Sequence, residues 1–346
     1  MPRPLAVSTG TVDAASFVLV DLHTTDGPSG CSYLFVPSKW ALGPLARLIE
    51  NLAELVTGTP LAPLEIEAAL LARMRLLGAQ GLTLMAVSAI DMAAWDALAK
   101  ARDLPLARLL GGTPRAIPAY NSNGLGIIGT ARAAGEAREL RQRGLSAIKV
   151  RLGYPDARTD LAVVRAVREA VGPDVTLMAD YNQALSVPEA IARIRLLDGE
   201  GLLWIEEPLD YRDAQGHADV RRAVCTPIQT GENWWGPLAM AEFVRERACD
   251  YGMPDAGKIG GVSGWTRAAA LAEAAGMPMS SHLYPEISAH LLSVTPTRHW
   301  LEYVDWAEPI LREGVQIHDG NAIPSNSPGS GIAWNEEAIR KLEIAQ

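Results

Sequence analysis

Three acidic residues, Asp180, Glu206 and Glu232, each follow a short apolar run, and steps of 26 residues separate them (180 to 206, 206 to 232). If these runs are neighbouring strands of one parallel sheet, their ends meet at one edge and the carboxylates converge. Converging carboxylates repel one another, and a divalent cation is a simple way to keep all three ionised. Oxygen ligands favour Mg²⁺ over zinc. Any one of these acids could equally face solvent or pair with a basic neighbour, but three in step predict a Mg²⁺ site.

Asp255 and His282 follow the next two apolar runs. A carboxylate beside an imidazole accepts from one ring nitrogen and leaves the other free for proton transfer, so the pair predicts an acid-base dyad. Glu302 follows Trp300 and Leu301 on a further run. It is a candidate hydrogen-bond donor if substrate charge lets it keep its proton.

Lys149 and Arg151 lie two residues apart in SAIKVRL, so strand alternation points both side chains to one face. Their cationic groups are candidates for binding a substrate carboxylate and the negative charge that develops on it. A structural role, neutralising the acidic cluster, fits the same placement. Lys258 lies in PDAGKIGGVSGW, where the glycines indicate a tight turn; GKIGG lacks the spacing of a phosphate-binding loop.

The elements that must position these residues are eight apolar runs separated by helical stretches, which is typical of βα units. We predict an α/β fold with eight units closed into a (β/α)8 TIM barrel whose reactive groups lie at the carboxyl ends of the strands. The eight runs are IPAYNSN, SAIKVRL, VTLMADYN, LLWIEEP, PIQTGEN, YGMPDAG, PMSSHLY and WLEYVDW.

The first hundred residues have a different pattern, with a hairpin in FVLVDLHTTDGPSGCSYLF followed by helical periodicity. Gly and Pro residues near 114–118 mark a boundary. We expect an N-terminal α+β capping domain over 1–113, the barrel over 114–319, and a segment over 320–346 that returns to the capping domain.

Composition excludes several classes of protein. The chain has 346 residues, of which 48 % are hydrophobic and 21 % charged, as in a folded globular protein of about two domains. A net charge of −9 repels phosphate backbones and anionic lipid, so nucleic acid and membrane surfaces are poor candidate partners. Three widely spaced cysteines and an N-terminus without an apolar signal segment predict a reduced, cytoplasmic protein.

Five segments carry a family resemblance in order along the chain: WIEEPL, TGENWWGP, MPDAGKIGGVSGW, SSHLYPEISAHLL and TPTRHWLE. They resemble the enolase superfamily and, within it, the mandelate racemase subgroup, also called the mandelate racemase and muconate lactonizing enzyme family. The resemblance implies Mg²⁺ as cofactor, with these roles: metal ligands Asp180, Glu206 and Glu232; catalytic dyad Asp255 and His282; Glu302 at the substrate carboxylate; electrophilic Lys149; and Asn182 near substrate and metal.

The reaction that the resemblance implies begins with removal of the proton α to a carboxylate, which gives an enediolate. A small 2-hydroxy carboxylate is the expected substrate. Two outcomes stay open: dehydration of an acid sugar to a 2-keto-3-deoxy acid, which we favour, and racemisation of the mandelate type. A barrel that binds metal and carboxylate without turnover is a third possibility, and a Schiff-base aldolase using Lys149 is a weak fourth because it leaves the three carboxylates without a purpose.

Arg151 departs from the family pattern, because racemases of this subgroup have a second lysine base there. A protein can lower the pKa of a lysine from about 10.4 to roughly 7 to 8. The pKa of an arginine is near 13, and lowering it to neutral pH would take about 6 pKa units, or roughly 8 kcal/mol. We therefore expect Arg151 not to act as a base, His282 to serve one face of the substrate alone, and two-base racemisation to be impaired.

The N-terminus is a second departure. Residues 1–20 resemble the stretch from the family's mobile specificity loop onward, so we expect a capping domain without its first strand. Val7, Ser8, Thr9 and Tyr33 are then expected to border the substrate pocket, with Tyr33 and Lys258 as further candidates for substrate binding. The family commonly assembles into oligomers, which predicts a homo-oligomer.

Overall fold

The structure is a computed structural model that describes residues 4–141 and 144–344. Its N-terminal part contains two antiparallel hairpins and four helices. These elements are β1 (Leu5–Val7), β2 (Gly10–Val12), β3 (Phe17–Leu22), β4 (Gly30–Phe35), α1 (Leu42–Ala53), α2 (Pro63–Arg73), α3 (Leu82–Ala101) and α4 (Leu106–Leu109).

Strands β3 and β4 pair from Phe17 opposite Phe35 to Leu22 opposite Gly30. Among the described residues, β3 pairs on this side only. The hairpin lies on α3, and Gly30 permits the contact, because a Cβ there would lie 1.9 Å from the Ala93 carbonyl oxygen. The close approach of strand and helix therefore requires glycine at this position.

Helix α3 is the centre of the N-terminal part. Its alanines let β4, α1 and α2 pack closely around it, and the barrel approaches it from the remaining side. By length and composition α3 is apolar enough to cross a membrane, but 78 % of its apolar window is buried inside the protein. We assign it as a core helix.

The remainder of the chain alternates strands and helices around a ring. Its elements are β5 (Ile117–Asn121), α5 (Thr130–Arg141), β6 (Ala147–Arg151), α6 (Ala157–Val171), β7 (Thr176–Asp180), α7 (Val187–Leu197), β8 (Leu202–Glu206), α8 (Ala214–Ala223), β9 (Ile228–Thr230), α9 (Pro237–Glu246), β10 (Tyr251–Gly252), α10 (Gly261–Ala275), α11 (Pro285–Ser293), β11 (Leu301–Tyr303), β12 (Gln316–His318), β13 (Asn321–Ile323) and α12 (Glu336–Leu342).

Eight strand segments form this ring. Strands β5 to β10 pair in parallel in chain order. Met279 joins the ring through bridges to Gly252 and Arg298, and β11 pairs in parallel with β5. Each of the eight predicted runs supplies one segment, so the (β/α)8 prediction is confirmed.

A layer of side chains fills the barrel beneath the carboxyl ends of the strands. It consists of Tyr120, Ala147, Met178 and Trp204, all fully buried. Ala147, Met178 and Trp204 each precede by two residues an inward-facing polar residue of the same strand, so alternation places the polar groups one layer above. The barrel is therefore packed below and polar at its rim.

The segment after the barrel runs from the ring to the N-terminal part. Hairpin β12–β13 pairs antiparallel with β5. Beyond it, Ser330 donates to Asp96 of α3 at 2.8 Å, and the Trp334 indole donates to Asp21 of β3 at 2.7 Å. The exact division at 113/114 and 319/320 stays a prediction.

Candidate active site

The three predicted metal ligands converge. Asp180 and Glu206 end β7 and β8, and Glu232 follows β9 by two residues. One carboxylate oxygen from each lies within 4.8 Å of the other two. Asp180 and Glu206 are buried, whereas the Glu232 side chain is 14 % exposed. The cluster is therefore open on the Glu232 side and closed below.

Lys149 lies against this cluster from β6. Its Nζ is 3.2 Å from Asp180, 2.9 Å from Glu302 and in contact with Glu206. Burial lowers the Lys149 pKa, but the carboxylates of Glu206, Glu302 and Asp180 more than offset this and hold it well above its ordinary value. The amine is a fixed cation, which is unsuitable for a Schiff-base nucleophile.

Glu206 is the most enclosed of the acids. Burial raises its pKa to about 8, against the opposing effect of Lys149 and with the help of Asp180. A divalent cation bound beside this carboxylate would lower its pKa further than Lys149 alone does. The three acids offer only oxygen atoms, and Asn182 Oδ1, next to Asp180, is buried without a hydrogen-bond partner in the described part of the chain. This donor set fits Mg²⁺.

Asn182 also holds Asp180 in place. Its backbone N–H donates to Asp180 Oδ1 at 2.8 Å and its amide donates to Oδ2 at 3.1 Å. Asn182 reaches this position with φ at +44°, a left-handed conformation that asparagine tolerates better than most residues. The structure thus brings the predicted Asn182 to the cluster of three carboxylates.

The predicted dyad is in contact. His282 Nδ1 lies 2.6 Å from Asp255 Oδ2, and the backbone N–H groups of Gly257 and Lys258 donate to Asp255 Oδ1. Imidazole Nε2 faces the cluster, 3.3 Å from Glu232. Burial lowers the His282 pKa, but Glu232, Glu302 and Asp255 raise it to about 9. Asp255 orients the ring so that Nε2 points at the open side of the site.

Glu302 lies between the two basic groups. Its Oε1 faces Lys149, and its Oε2 accepts from the Leu283 N–H at 2.9 Å and lies 3.7 Å from His282 Nε2. Burial raises the Glu302 pKa, but Lys149 and His282 outweigh it and hold the pKa well below its usual range. The arrangement favours the ionised form, so the expected donor role requires substrate charge beside it.

Arg151 hydrogen-bonds the loop after β5. Its Nη1 donates to the carbonyls of Ser122 at 3.0 Å and Gly124 at 2.6 Å, and Nη2 donates to the Ser122 hydroxyl at 3.0 Å. The guanidinium is buried and clamps the loop after β5. Its Nε has no partner among the described residues.

Tyr33 and Lys258 are also tied to protein groups. The Tyr33 hydroxyl donates to Glu286 at 2.6 Å and is buried between β4 and α11. Lys258 Nζ donates to Asn233 Oδ1 at 2.8 Å and lies over the Trp235 ring. Both residues lie near the rim, but their polar groups already bind neighbours, and substrate binding by either stays a prediction.

Two polar residues of the rim were not predicted. Asn233 donates from Nδ2 to both oxygens of Glu207, at 3.2 and 2.9 Å, and to Glu232 at 3.2 Å. Burial and the neighbouring Glu232 raise the Glu207 pKa well above its ordinary value. The available signal was a polar residue directly after Glu206 and another after Glu232, at the same strand ends.

Hairpin β1–β2 lies over the loops of the rim. The Ser8 hydroxyl donates to the Tyr181 carbonyl at 2.6 Å, and the Ile127 N–H donates to the Ala6 carbonyl at 2.8 Å. Gly126 and Gly153 leave room for it, since a Cβ on Gly126 would be 2.4 Å from Ala6 O and one on Gly153 would be 2.9 Å from Ser8 Cβ. These contacts place Ser8 against the loop after β7, and a substrate pocket bordered by residues 7–9 stays a prediction.

Comparison with known families identifies the class. Residues 1–111 match the mandelate racemase / muconate lactonizing enzyme N-terminal domain, and residues 132–338 match the enolase C-terminal domain-like model. The chain belongs to the mandelate racemase and muconate lactonizing enzyme family of the enolase superfamily, as the motifs indicated.

Individual relatives narrow the chemistry. The chain is 32 % identical over 331 residues to the L-talarate/galactarate dehydratase of Salmonella typhimurium, covering 95 % of this chain and 83 % of the relative. It is 30 % identical over 366 residues to the D-galactarolactone cycloisomerase of Agrobacterium fabrum, covering 99 % and 96 %. An enolase from Bradyrhizobium, solved with magnesium and mandelic acid, is 44 % identical with a TM-score of 0.95, over 100 % of this chain and 95 % of that one.

The chain is therefore an enzyme of the lyase or isomerase type, and the binding-only barrel is set aside. The prediction of Mg²⁺ as cofactor is confirmed at the level of the family, since several solved relatives of this chain hold the ion.

Proposed function

We propose that this chain removes the α-proton of a 2-hydroxy carboxylate through His282 and then eliminates a β-hydroxyl from an acid sugar, giving a 2-keto-3-deoxy acid. The observation that carries this proposal is the placement of His282 Nε2 beside Glu232, at the open side of three converging carboxylates. Relatives named as acid-sugar dehydratases support the substrate class.

In this proposal Asp180, Glu206 and Glu232 would hold Mg²⁺. The ion supplies positive charge that balances the substrate's carboxylate and offsets the acids that raise the His282 pKa. Lys149, a fixed cation among carboxylates, faces the negative charge that develops when the proton leaves. Asp255 keeps the imidazole oriented for the transfer.

His282 then carries the abstracted proton as an imidazolium. We propose that it returns this proton to the departing β-hydroxyl, which leaves as water, and the resulting enol becomes the keto acid. One base suffices for this sequence, because the same group removes and donates the proton. The clamped Arg151 is consistent with a site in which no second base acts.

Racemisation is the second candidate, favoured by the mandelic acid bound in the Bradyrhizobium relative. It needs proton exchange on both faces of the α-carbon. The Arg151 guanidinium donates to the backbone carbonyls of Ser122 and Gly124. These hydrogen bonds engage the group that would otherwise have to serve the second face of the substrate. We therefore place racemisation second.

The decisive experiment incubates the enzyme and Mg²⁺ in D₂O with a panel of acid sugars and with both enantiomers of mandelate. We expect 2-keto-3-deoxy acid from at least one acid sugar, and deuterium entry into no more than one mandelate enantiomer. Rapid exchange from both enantiomers, without keto acid from any sugar, would establish the racemase instead.

A further inference from the structure

One oxygen of Glu206 is held from below by two uncharged donors. The Trp204 indole Nε1 donates to Glu206 Oε2 at 3.1 Å, and the Gln229 amide Nε2 donates to the same oxygen at 3.3 Å. All three side chains are fully buried. Lys149 contacts the other oxygen, Oε1. Both oxygens of this carboxylate are thus restrained by different groups.

Both donors are placed by the barrel itself. Trp204 and Glu206 are two residues apart on β8, so they point to the same side of the strand, and Glu206 is in register with Gln229 on β9. The Trp204 ring is fixed further by edge contacts with Tyr120 and Tyr251, with centroids 5.4 and 6.2 Å away. Neither donor reaches the rim, where the substrate is expected.

We propose that Trp204 and Gln229 are positioning residues that hold Glu206 in the orientation that binds Mg²⁺. A carboxylate that is ion-paired with Lys149 through one oxygen alone can still rotate about its Cγ–Cδ bond. Two donors on Oε2 remove that freedom, and because they are neutral they leave the negative charge available to the cation. Partners of this kind typically change metal affinity by about 10- to 100-fold.

This inference rests on the proposed role of Glu206 as a Mg²⁺ ligand. It adds two residues that increase the affinity of the site for Mg²⁺. The test compares Trp204→Phe and Gln229→Met, which remove one donor each with little change in shape. Trp265→Phe is the matched control: it also removes a fully buried indole and its hydrogen bond, here to Thr295 at 3.0 Å, but on α10, outside the barrel interior.

The measurement is the Mg²⁺ dissociation constant by isothermal titration calorimetry without substrate, after near-UV circular dichroism and thermal melting have verified the fold. We expect each of Trp204→Phe and Gln229→Met to weaken Mg²⁺ binding by about tenfold or more. Trp265→Phe should lower thermal stability but keep the affinity within about twofold.

The outcomes separate the two proposals. If the wild-type enzyme binds no Mg²⁺, the proposed metal site itself fails, and this inference with it. If wild type and Trp265→Phe bind Mg²⁺ and the two donor variants bind it equally well, only the positioning role is overturned. If Trp204→Phe does not fold, Gln229→Met decides alone, since it leaves the aromatic cluster intact.

Discussion

At the scale of single residues, the site places more negative than positive charge in a small, mostly buried volume. Five carboxylates, those of Asp180, Glu206, Glu232, Asp255 and Glu302, contact Lys149 or His282. Buried charge without full compensation is costly. Burial, with Asp180, raises the Glu206 pKa to about 8, and the carboxylates beside His282 outweigh burial and raise its pKa to about 9. An added divalent cation relieves this charge imbalance, which is why the residues favour a metal-dependent acid-base site.

His282→Asn tests the proposed base. Asparagine retains a polar side chain near Asp255 but cannot accept a proton at neutral pH, so we expect α-proton exchange to fall by about 10²- to 10⁴-fold. Mg²⁺ affinity should change little, because His282 is not among the three converging oxygen ligands. Deuterium incorporation by NMR gives the rate, and His23→Asn, at an exposed position, is the control. Exchange within tenfold of wild type would remove His282 from its role.

At the scale of elements, the contact between α3 and α10 contains a buried acid. Asp91 of α3 accepts from the Ser263 N–H at 3.0 Å and from the Ser263 hydroxyl. Burial raises the Asp91 pKa to about 7, with a smaller contribution from Glu67 and partial opposition from the Ser263 hydrogen bonds. This junction between the capping helix and the barrel is therefore sensitive to pH.

The folded protein holds the Asp91 proton more tightly than the unfolded chain, whose aspartates titrate near 3.8. Its contribution to the free energy of unfolding is thus present below about pH 4 and is lost as the pH rises to about 7. Asp91→Asn mimics the protonated form and should remove this pH dependence of the free energy of unfolding. Between pH 4 and pH 7.5 the wild-type protein should therefore lose up to about 4 kcal/mol of stability that the variant keeps. Urea denaturation in EDTA at both pH values measures it, and parallel stability curves would contradict the prediction.

The contact between hairpin β1–β2 and the rim can be tested by a substitution at Gly126, which lies against Ala6 of the hairpin. Gly126→Ala places a Cβ 2.4 Å from the Ala6 carbonyl oxygen, so we expect it to displace the hairpin from the rim. Limited proteolysis should then cut residues 5–12 faster, and KM should rise several-fold for any acid sugar that the panel experiment shows to be converted to a keto acid. Gly135→Ala is the control, because a Cβ there meets nothing within 4 Å on α5. Equal cleavage rates in the two variants would show that the hairpin does not depend on this contact.

At the scale of the whole molecule, the proposed metal binding connects to folding because the three proposed ligands lie at the ends of three neighbouring strands of one ring. Asp180, Glu206 and Glu232 meet only when β7, β8 and β9 are paired. A cation that binds the folded protein and not the unfolded chain stabilises it by mass action. Bound metal should therefore stabilise the pairing of β7, β8 and β9 against unfolding.

We expect MgCl₂ to raise the melting temperature, with a gain of about 2.7 kcal/mol when the free ion is at 100 times its dissociation constant. Asp180→Asn should abolish most of this gain, whereas Glu50→Gln, at an exposed position on α1, should keep it. Differential scanning calorimetry with MgCl₂ and with EDTA measures both. If MgCl₂ does not raise the melting temperature of the wild-type enzyme, the proposed metal site is contradicted.

The amino-acid sequence by itself determined the period and order of the strands, and with them the positions of the reactive groups. Asp180, Glu206 and His282 follow apolar runs at regular intervals, and parallel strands of a ring present such ends at one rim. This local pattern was enough to predict the barrel and a Mg²⁺ site, whereas the family was indicated by the five motif segments. The convergence of the predicted site residues followed from the same regularity.

Only the tertiary structure decided what each rim residue binds. Lys149 meets a residue 57 positions further along the chain, Arg151 turns to the loop after β5, and Lys258 is held by Asn233. Alternation gives the face of a strand but not the neighbour across the ring, because that neighbour depends on how the strands close and how the loops fold over them. The support of Glu206 from Trp204 and Gln229 becomes visible only once β8 and β9 lie side by side.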